Sequence, residues 1–252
     1  MMFHATLDST KIWKQIVDAL ATLLTEIHFI VSERGLTLTQ YDSSRAAMVF
    51  LFLPNTVFQE YVCTGEYDIC LGVDELVKVS KRMAGDDRLE FDLEENEKRL
   101  KIRMIGEVER TFRLQLLTPP EERIQGLNPA FEVRAEMYSD SFKQAVRDIG
   151  VVSNHLRVTA TNDSLTFSGS GDAGDAEVFL KLGDNSPLHH LSANGRTSST
   201  YALSYLTEIS KAISSDSLTL QMTEDKPLVL EFAIAENGEM RFLLAPRVER
   251  RG

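Results

Sequence analysis

Apolar residues recur along this chain with two periods. Short runs alternate apolar and polar, as half-buried strands do, and four longer runs repeat every three to four residues, as amphipathic helices do. The run Phe3–Leu7 alternates and predicts a strand. A helix follows over 10–24, with Ile12, Ile16, Leu20 and Leu23 on one face, widened by Trp13, Val17 and Leu24. Lys11, Lys14, Asp18 and Thr22 fall on its other side. Strands are expected at 27–31, 36–41, 46–53 and 60–63, with Glu33-Arg34-Gly35 turning between the first two. The order then restarts. A strand at 67–71 precedes a helix at 74–84, with Asp74 as its N-cap, Leu76, Val79 and Met83 inward, and Lys78, Lys81 and Arg82 outward. Strands at 88–93, 99–104 and 108–116 follow, the first two joined by a turn at Glu94-Glu95-Asn96-Glu97-Lys98.

Residues 118–129 break the pattern. Pro119, Pro120, Pro129 and Gly126 exclude a helix interior or a central strand. The charged side chains suggest a solvated connector, while Leu117, Ile124 and Leu127 offer apolar anchors. Past it the order returns: a strand at 131–137, a helix at 139–152 with Phe142, Ala145, Val146 and Ile149 inward and Lys143 and Arg147 outward, and strands at 156–160, 164–168 and 178–182. Residues 200–203 lead into a helix at 204–214, with Leu206, Ile209 and Ile213 inward and Lys211 outward. Strands at 217–222, 228–234 and 240–244 end the pattern, with Asn237-Gly238 marking a hairpin.

The two halves match residue by residue. Ile12-Trp13-Lys14-Gln15-Ile16-Val17 aligns with Ser141-Phe142-Lys143-Gln144-Ala145-Val146 at an offset of 129, and Leu76-Val77-Lys78-Val79-Ser80-Lys81 aligns with Leu206-Thr207-Glu208-Ile209-Ser210-Lys211 at 130. The expected architecture is α+β: two similar domains, 1–117 and 130–252, each an antiparallel sheet assembly with two helices on one face, joined by the connector 118–129. Four helices and about sixteen strands are expected.

Composition narrows the class. The chain has 252 residues, 43% hydrophobic and 26% charged, which is ordinary for a globular protein. No apolar run approaches the ~18 residues of a membrane span, and the N-terminus lacks the basic and apolar regions of a signal peptide. Cys63 and Cys70 make neither a disulfide framework nor a zinc site; a pair on adjacent strands is one reading, and two buried free thiols in a reducing compartment is the favoured one. The net charge of −11 alone argues against a binder of polyanions. By region the picture changes: the predicted helices carry eight basic against six acidic residues, a net +2 that leaves −13 elsewhere. Solvated faces of an ordinary protein explain the same charges, so charge alone does not assign DNA contact.

Several local signals point nowhere chemical. Gly169-Ser170-Gly171-Asp172-Ala173-Gly174 spells a dinucleotide fingerprint, but a strand follows it where a helix is needed, and Asp172 and Asp175 would repel a pyrophosphate; it reads as a glycine-rich loop. His189-His190 lacks nearby ligands at metal spacing and reads as a loop too. No catalytic constellation, cofactor or metal site is expected.

Asp42-Ser43-Ser44-Arg45 after the third strand, the mid-chain connector, Asp225–Val229, and Leu244-Ala245-Pro246-Arg247-Val248-Glu249 near the C-terminus occur in an order that resembles the DNA sliding clamps of the proliferating cell nuclear antigen family. The resemblance covers essentially the whole chain. Ala21, Thr22 and the Pro119-Pro120 pair depart from the usual eukaryotic form and favour an archaeal one.

The resemblance implies a non-enzymatic, ring-shaped homotrimer that encircles duplex DNA, tethers DNA polymerase, and works on chromosomal DNA in the cytoplasm (the nucleus, for a eukaryotic source). It implies a clamp loader, and flap nuclease and DNA ligase as clients through short peptides with aromatic and aliphatic anchors. On this reading Lys11, Lys14, Lys78, Lys81, Arg82, Lys143, Arg147 and Lys211 face DNA. The client pocket takes Tyr41, Arg45, Met48, Leu117, Ile124, Leu127, Phe131, Pro227, Ala245, Pro246 and Val248. The subunit interface pairs Arg110, Phe112 and Leu114 with Val178, Leu180 and Leu182 of the next copy, since an apolar strand edge invites pairing with another chain. Two alternatives stand beside this: a subunit of a heterotrimeric or checkpoint-type clamp, and an α+β enzyme whose site has no local signature.

Overall fold

The computed structural model describes residues 3–124, 126, 130–235 and 237–247. The chain divides into two compact units. The first holds Met1–Arg45, Val49–Gly126 and Ala233–Met240; the second holds Ala46–Met48, Leu127–Phe232 and Arg241–Gly252.

In chain order the first half gives β1 (Phe3–Leu7), α1 (Thr10–Ala21), β2 (Glu26–Ser32), β3 (Gly35–Tyr41), β4 (Ala47–Pro54), β5 (Glu60–Cys63), β6 (Tyr67–Gly72), α2 (Val73–Ser80), β7 (Arg88–Glu94), β8 (Arg99–Ile105) and β9 (Arg110–Gln115). The second half repeats the order with β10 (Val133–Tyr138), α3 (Ser139–Ile149), β11 (His155–Ala160), β12 (Ser164–Gly171), β13 (Gly174–Lys181), β14 (Leu188–Ala193), β15 (Thr197–Ala202), α4 (Leu203–Ala212), β16 (Ser217–Met222), β17 (Leu228–Ile234) and β18 (Gly238–Leu244). In the first unit strands run in the orders β5-β1-β7-β8-β9 and β4-β3-β2-β6. In the second they run β14-β10-β16-β17 and β13-β12-β11-β15. The ladders are antiparallel, as the alternating burial of their side chains requires.

Each unit buries its helices against its strands. Trp13 of α1 lies 4.7 Å from the ring of Phe91 and 6.1 Å from that of Phe29. Phe142 of α3 meets Phe167 edge to face at 5.9 Å. Fully burying such side chains stabilises by roughly 1.5–3 kcal/mol each. Because the inner faces of α1 and α3 are used in this way, Lys11, Gln15 and Asp18 of α1 and Gln144 and Arg147 of α3 remain on the exposed side. No described helix is long and apolar enough to cross a membrane.

The structure corrects several expectations. Eighteen strands are present among the described residues, not about sixteen. His189 and His190 lie in β14, a strand paired with β10, and not in a loop. The glycine-rich segment is mostly strand: Gly171 pairs with Gly174 across a two-residue turn at Asp172-Ala173. Gly169 and Gly171 serve close packing, since a Cβ on Gly169 would fall 2.5 Å from Ile149 Cγ2 and one on Gly171 2.2 Å from the Val152 carbonyl oxygen, whereas Gly174 takes a φ of 127° at the turn. Asp74 is not an N-cap. Gly72 occupies that position, and Asp74 and Glu75 sit in the first turn of α2, where their charges complement the helix dipole. All four helices end before the expected residue, at Ala21, Ser80, Ile149 and Ala212.

Candidate functional site

Three sets of residues were expected to carry function, and each has a definite place. Among the helix cations, Lys11 and Lys78 are exposed on α1 and α2, and Arg147 and Lys211 on α3 and α4. Lys81 caps the C-terminus of α2 and Arg82 follows it, both exposed. With α2 ending at Ser80, the four helices hold six basic and six acidic residues, so the expected excess of +2 vanishes within the helices and the extra cations belong to the turn behind α2. Four of the cations already have partners: Lys211 Nζ lies 2.6 Å from Glu208 Oε1, Lys143 Nζ lies 3.9 Å from Asp140 Oδ1, Arg147 Nη2 donates to Gln144 Oε1 at 2.7 Å, and Lys14 Nζ donates to the Met83 carbonyl at 2.9 Å.

The second set lies on two strand edges. β9 pairs with β8 alone in its sheet, and β13 with β12 alone. Along β9, Arg110, Phe112 and Leu114 are half-buried on one face, opposite Met104, Ile102 and Leu100 of β8. Along β13, Val178 is half-buried and Leu180 buried, while Phe179 stands 58% exposed on the other face. Leu182 follows the strand and is exposed. Two apolar edges therefore lack a partner strand within the described residues, which is the arrangement that takes up another chain. Phe179 escaped the sequence reading; its odd place in the alternation, an aromatic at a solvent-facing position, is the signal that would have found it. Arg110 has an intrachain role as well: its guanidinium bonds to the Asp87 carboxylate and to the Arg82 carbonyl.

The third set divides between the units. Tyr41, Arg45, Leu117 and Ile124 belong to the first. Tyr41 is half-buried and the other three are exposed. Arg45 adopts a φ of 60° at the end of a tight turn in which Asp42 accepts from the Ser44 backbone N–H and hydroxyl. Met48, Phe131, Pro227, Ala245 and Pro246 belong to the second unit. Met48 is only 2% exposed and is core, so it lines no surface. Phe131, Pro227 and Pro246 are half-buried and Ala245 is exposed. Leu127 and Val248 lie outside the described residues.

The segments that leave the last strand of each repeat dock alike. The Leu117 N–H donates to the Cys70 carbonyl at 2.8 Å on the outer edge of β6. The Arg247 N–H donates to the Thr200 carbonyl at 2.7 Å on the outer edge of β15. Both donors and both acceptors are separated by 130 residues, so the same bond recurs in each repeat. Each segment covers a strand edge that would otherwise be open. Further along the connector, Arg123 pairs with Glu66 and Asp68, the latter in β6. The connector is thus fastened at two points to one strand, with Leu117 and Ile124 left about 40% exposed beside it.

The comparisons with known proteins agree over this whole length. The model for the proliferating cell nuclear antigen N-terminal domain matches residues 2–116, and that for its C-terminal domain residues 128–247. A protein named DNA polymerase sliding clamp from Thermofilum pendens is 34% identical over 94% of this chain and 96% of its own. One of the same name from Thermococcus sibiricus is 32% identical over 99% of this chain and all of its own. The crystal structure of PCNA from Thermococcus kodakaraensis superposes with a TM-score of 0.91 at 26% identity, covering 97% of this chain and 100% of that one. The chain belongs to the proliferating cell nuclear antigen family of DNA polymerase sliding clamps.

Proposed function

We propose that three copies of this chain close into a ring around duplex DNA and hold DNA polymerase on its template as a non-enzymatic processivity factor. The observation that carries this reading, beside family membership, is the pair of open edges. One apolar edge, β9, ends a sheet of the first unit, and another, β13, ends a sheet of the second. Pairing β9 of one copy with β13 of the next joins sheets head to tail, and a head-to-tail contact that closes makes a ring. Phe112, Leu114, Val178 and Leu180 pack across that junction, and Phe179 and Leu182 lose their exposure there.

Lys11, Lys78, Lys81, Arg82, Lys143, Arg147 and Lys211 face the DNA in this reading. Attraction to phosphates without base contacts gives no register, so the ring slides. Client peptides of polymerase, flap nuclease and ligase dock beside the connector and the C-terminal segment, on Tyr41, Arg45, Leu117, Ile124, Phe131, Pro227, Ala245 and Pro246. A clamp loader opens the ring, and the protein works on chromosomal DNA in the cytoplasm. The test is topological. Protein loaded onto a closed circular duplex should stay bound in high salt and fall off when the circle is cut once. Equal retention on circular and cut DNA would reject encirclement.

A further inference from the structure

The turn behind α2 is braced in an unusual way. Four successive backbone carbonyls, those of Arg82, Met83, Ala84 and Gly85, each accept a hydrogen bond from a side chain elsewhere in the first unit. Arg110 of β9 donates to the first. Lys14 Nζ donates to the second at 2.9 Å, Thr10 Oγ1 to the third at 2.6 Å, and Ser9 Oγ to the fourth at 3.2 Å. Ser9 is also the N-cap of α1, accepting from the Lys11 N–H, so one hydroxyl joins both elements. Asp87 closes the turn. Its carboxylate accepts from the Ala84 N–H at 3.2 Å and from Arg110. Lys81 and Arg82 stand at the start of this turn, exposed. Turns of this length are ordinarily solvated and mobile, because their carbonyls are met by water. Here the start of α1 and the edge strand β9 meet them instead. Lys143, which matches Lys14 in the repeat, approaches Asp140 at 3.9 Å instead.

We propose that Thr10 and Lys14 are positioning residues: they hold the turn 81–87 rigid and thereby present Lys81 and Arg82 to the DNA backbone, with Arg110 tying the same turn to the strand edge that joins subunits. Lys14 then acts through the turn and is not itself a phosphate contact. A preset pair of cations loses less side-chain and backbone freedom on meeting phosphate than a mobile one, so bracing raises affinity with no added charge. The DNA half of this proposal rests on the clamp reading above; the bracing does not.

The experiment compares the wild type with Thr10→Val, Thr10→Ser, Lys14→Met and Lys14→Arg. It measures amide hydrogen exchange across 82–87 and the affinity for a fluorescent linear duplex as a function of salt. Thr10→Val and Lys14→Met should each speed exchange in the turn about fivefold, the effect of losing one hydrogen bond. Thr10→Ser and Lys14→Arg, which keep a donor, should restore it. Thr10→Val changes no charge, yet it should weaken duplex binding with the salt slope unchanged. Unchanged exchange in Thr10→Val and Lys14→Met would overturn the bracing. Wild-type duplex affinity in Thr10→Val, with Lys14→Met lowering the salt slope by about one, would make Lys14 a plain phosphate contact and overturn the positioning role. Absence of measurable linear-duplex affinity in the wild type would overturn the DNA half of the proposal, while exchange would still decide the bracing; the clamp reading is decided separately, by retention on circular against cut DNA.

Discussion

Arg123 grips Asp68 with one nitrogen on both carboxylate oxygens, at 3.0 and 2.9 Å, although 55 residues separate them. Asp68 is also bonded to His28 Nε2 at 2.6 Å, and the second nitrogen of Arg123 reaches Glu66. Together with the Leu117–Cys70 backbone bond, this clasp lays a proline-rich connector along β6. The connector is fastened at its start and at Arg123, with Pro119 and Pro120 exposed between the two fixed points.

Removing the clasp should act locally. Partly exposed ion pairs contribute about 1 kcal/mol or less, so Arg123→Ala should leave the thermal midpoint nearly unchanged. It should nonetheless speed hydrogen exchange and proteolysis across 117–124 several-fold. Equal protection in the two proteins would show that the backbone bond at Leu117 is the sufficient anchor.

Acid should open the same clasp. Burial pushes the Asp68 carboxyl up, but hydrogen bonds from His28 and Arg123 outweigh it and hold the group below its ordinary range. A carboxyl depressed in the folded state adds stability that is complete above its unfolded value, about 3.9, and is lost as pH falls through the lower folded value. Connector protection, corrected for intrinsic exchange, should therefore be flat from pH 8 to 5 and fall only below about 4. A loss of protection centred near pH 6 would show that the Asp68 carboxylate does not control the clasp.

Gly106 marks a second tight contact. A Cβ there would lie 2.1 Å from Asp87 Oδ1 and 3.1 Å from its Cγ, and Asp87 is held by Arg110 and the Ala84 N–H. Gly106→Ala should cost about 1–3 kcal/mol in a denaturant titration by pushing that carboxylate off its donors. A cost below about 0.5 kcal/mol would mean that the carboxylate swings away freely.

Phe179 offers the cleanest probe of assembly. It is 58% exposed in the single chain, so Phe179→Glu removes no core contact. In the proposed ring it would stand at a subunit junction, where burying an unpaired charge is costly. The variant should keep the wild-type circular dichroism spectrum and lose assembly at least tenfold in concentration. Assembly at wild-type concentration would place Phe179 outside the interface.

The C-terminal segment carries the client prediction. Ala245 is exposed and Pro246 half-buried beyond the last strand. Ala245→Asp with Pro246→Asp should abolish binding of a synthetic peptide with aliphatic and aromatic anchors, measured by calorimetry, while the mass in solution stays unchanged. Unaltered affinity would remove these two residues from the pocket.

How much of this was legible in the sequence follows from the range of the interactions. α1 and α3 were readable because Ile16, Leu20, Phe142 and Val146 repeat with helical period and each helix buries one face. The two-fold repeat showed in short matched segments. β14 was missed because the pairing register shifts between Glu136 and Met137, which leaves His189 and His190 both exposed and interrupts the alternation after Leu188. The glycines of β12 resembled a loop because their reason, the approach of the α3 terminus at Ile149 and Val152, lies in packing and not in pattern. The second role of Lys14 and the Arg123 clasp were invisible for the same cause. Their partners lie 69 and 55 residues away, and exposed cations look alike until a carbonyl or carboxylate is placed beside them.

Absolute mass by size exclusion with light scattering, over a range of concentrations, tests the central claim most directly. The account predicts a mass three times the 28.3 kDa of one chain, held down to low concentration by the β9–β13 junction. A single-chain mass at every concentration would contradict it and move the weight to a clamp that closes only with different subunits.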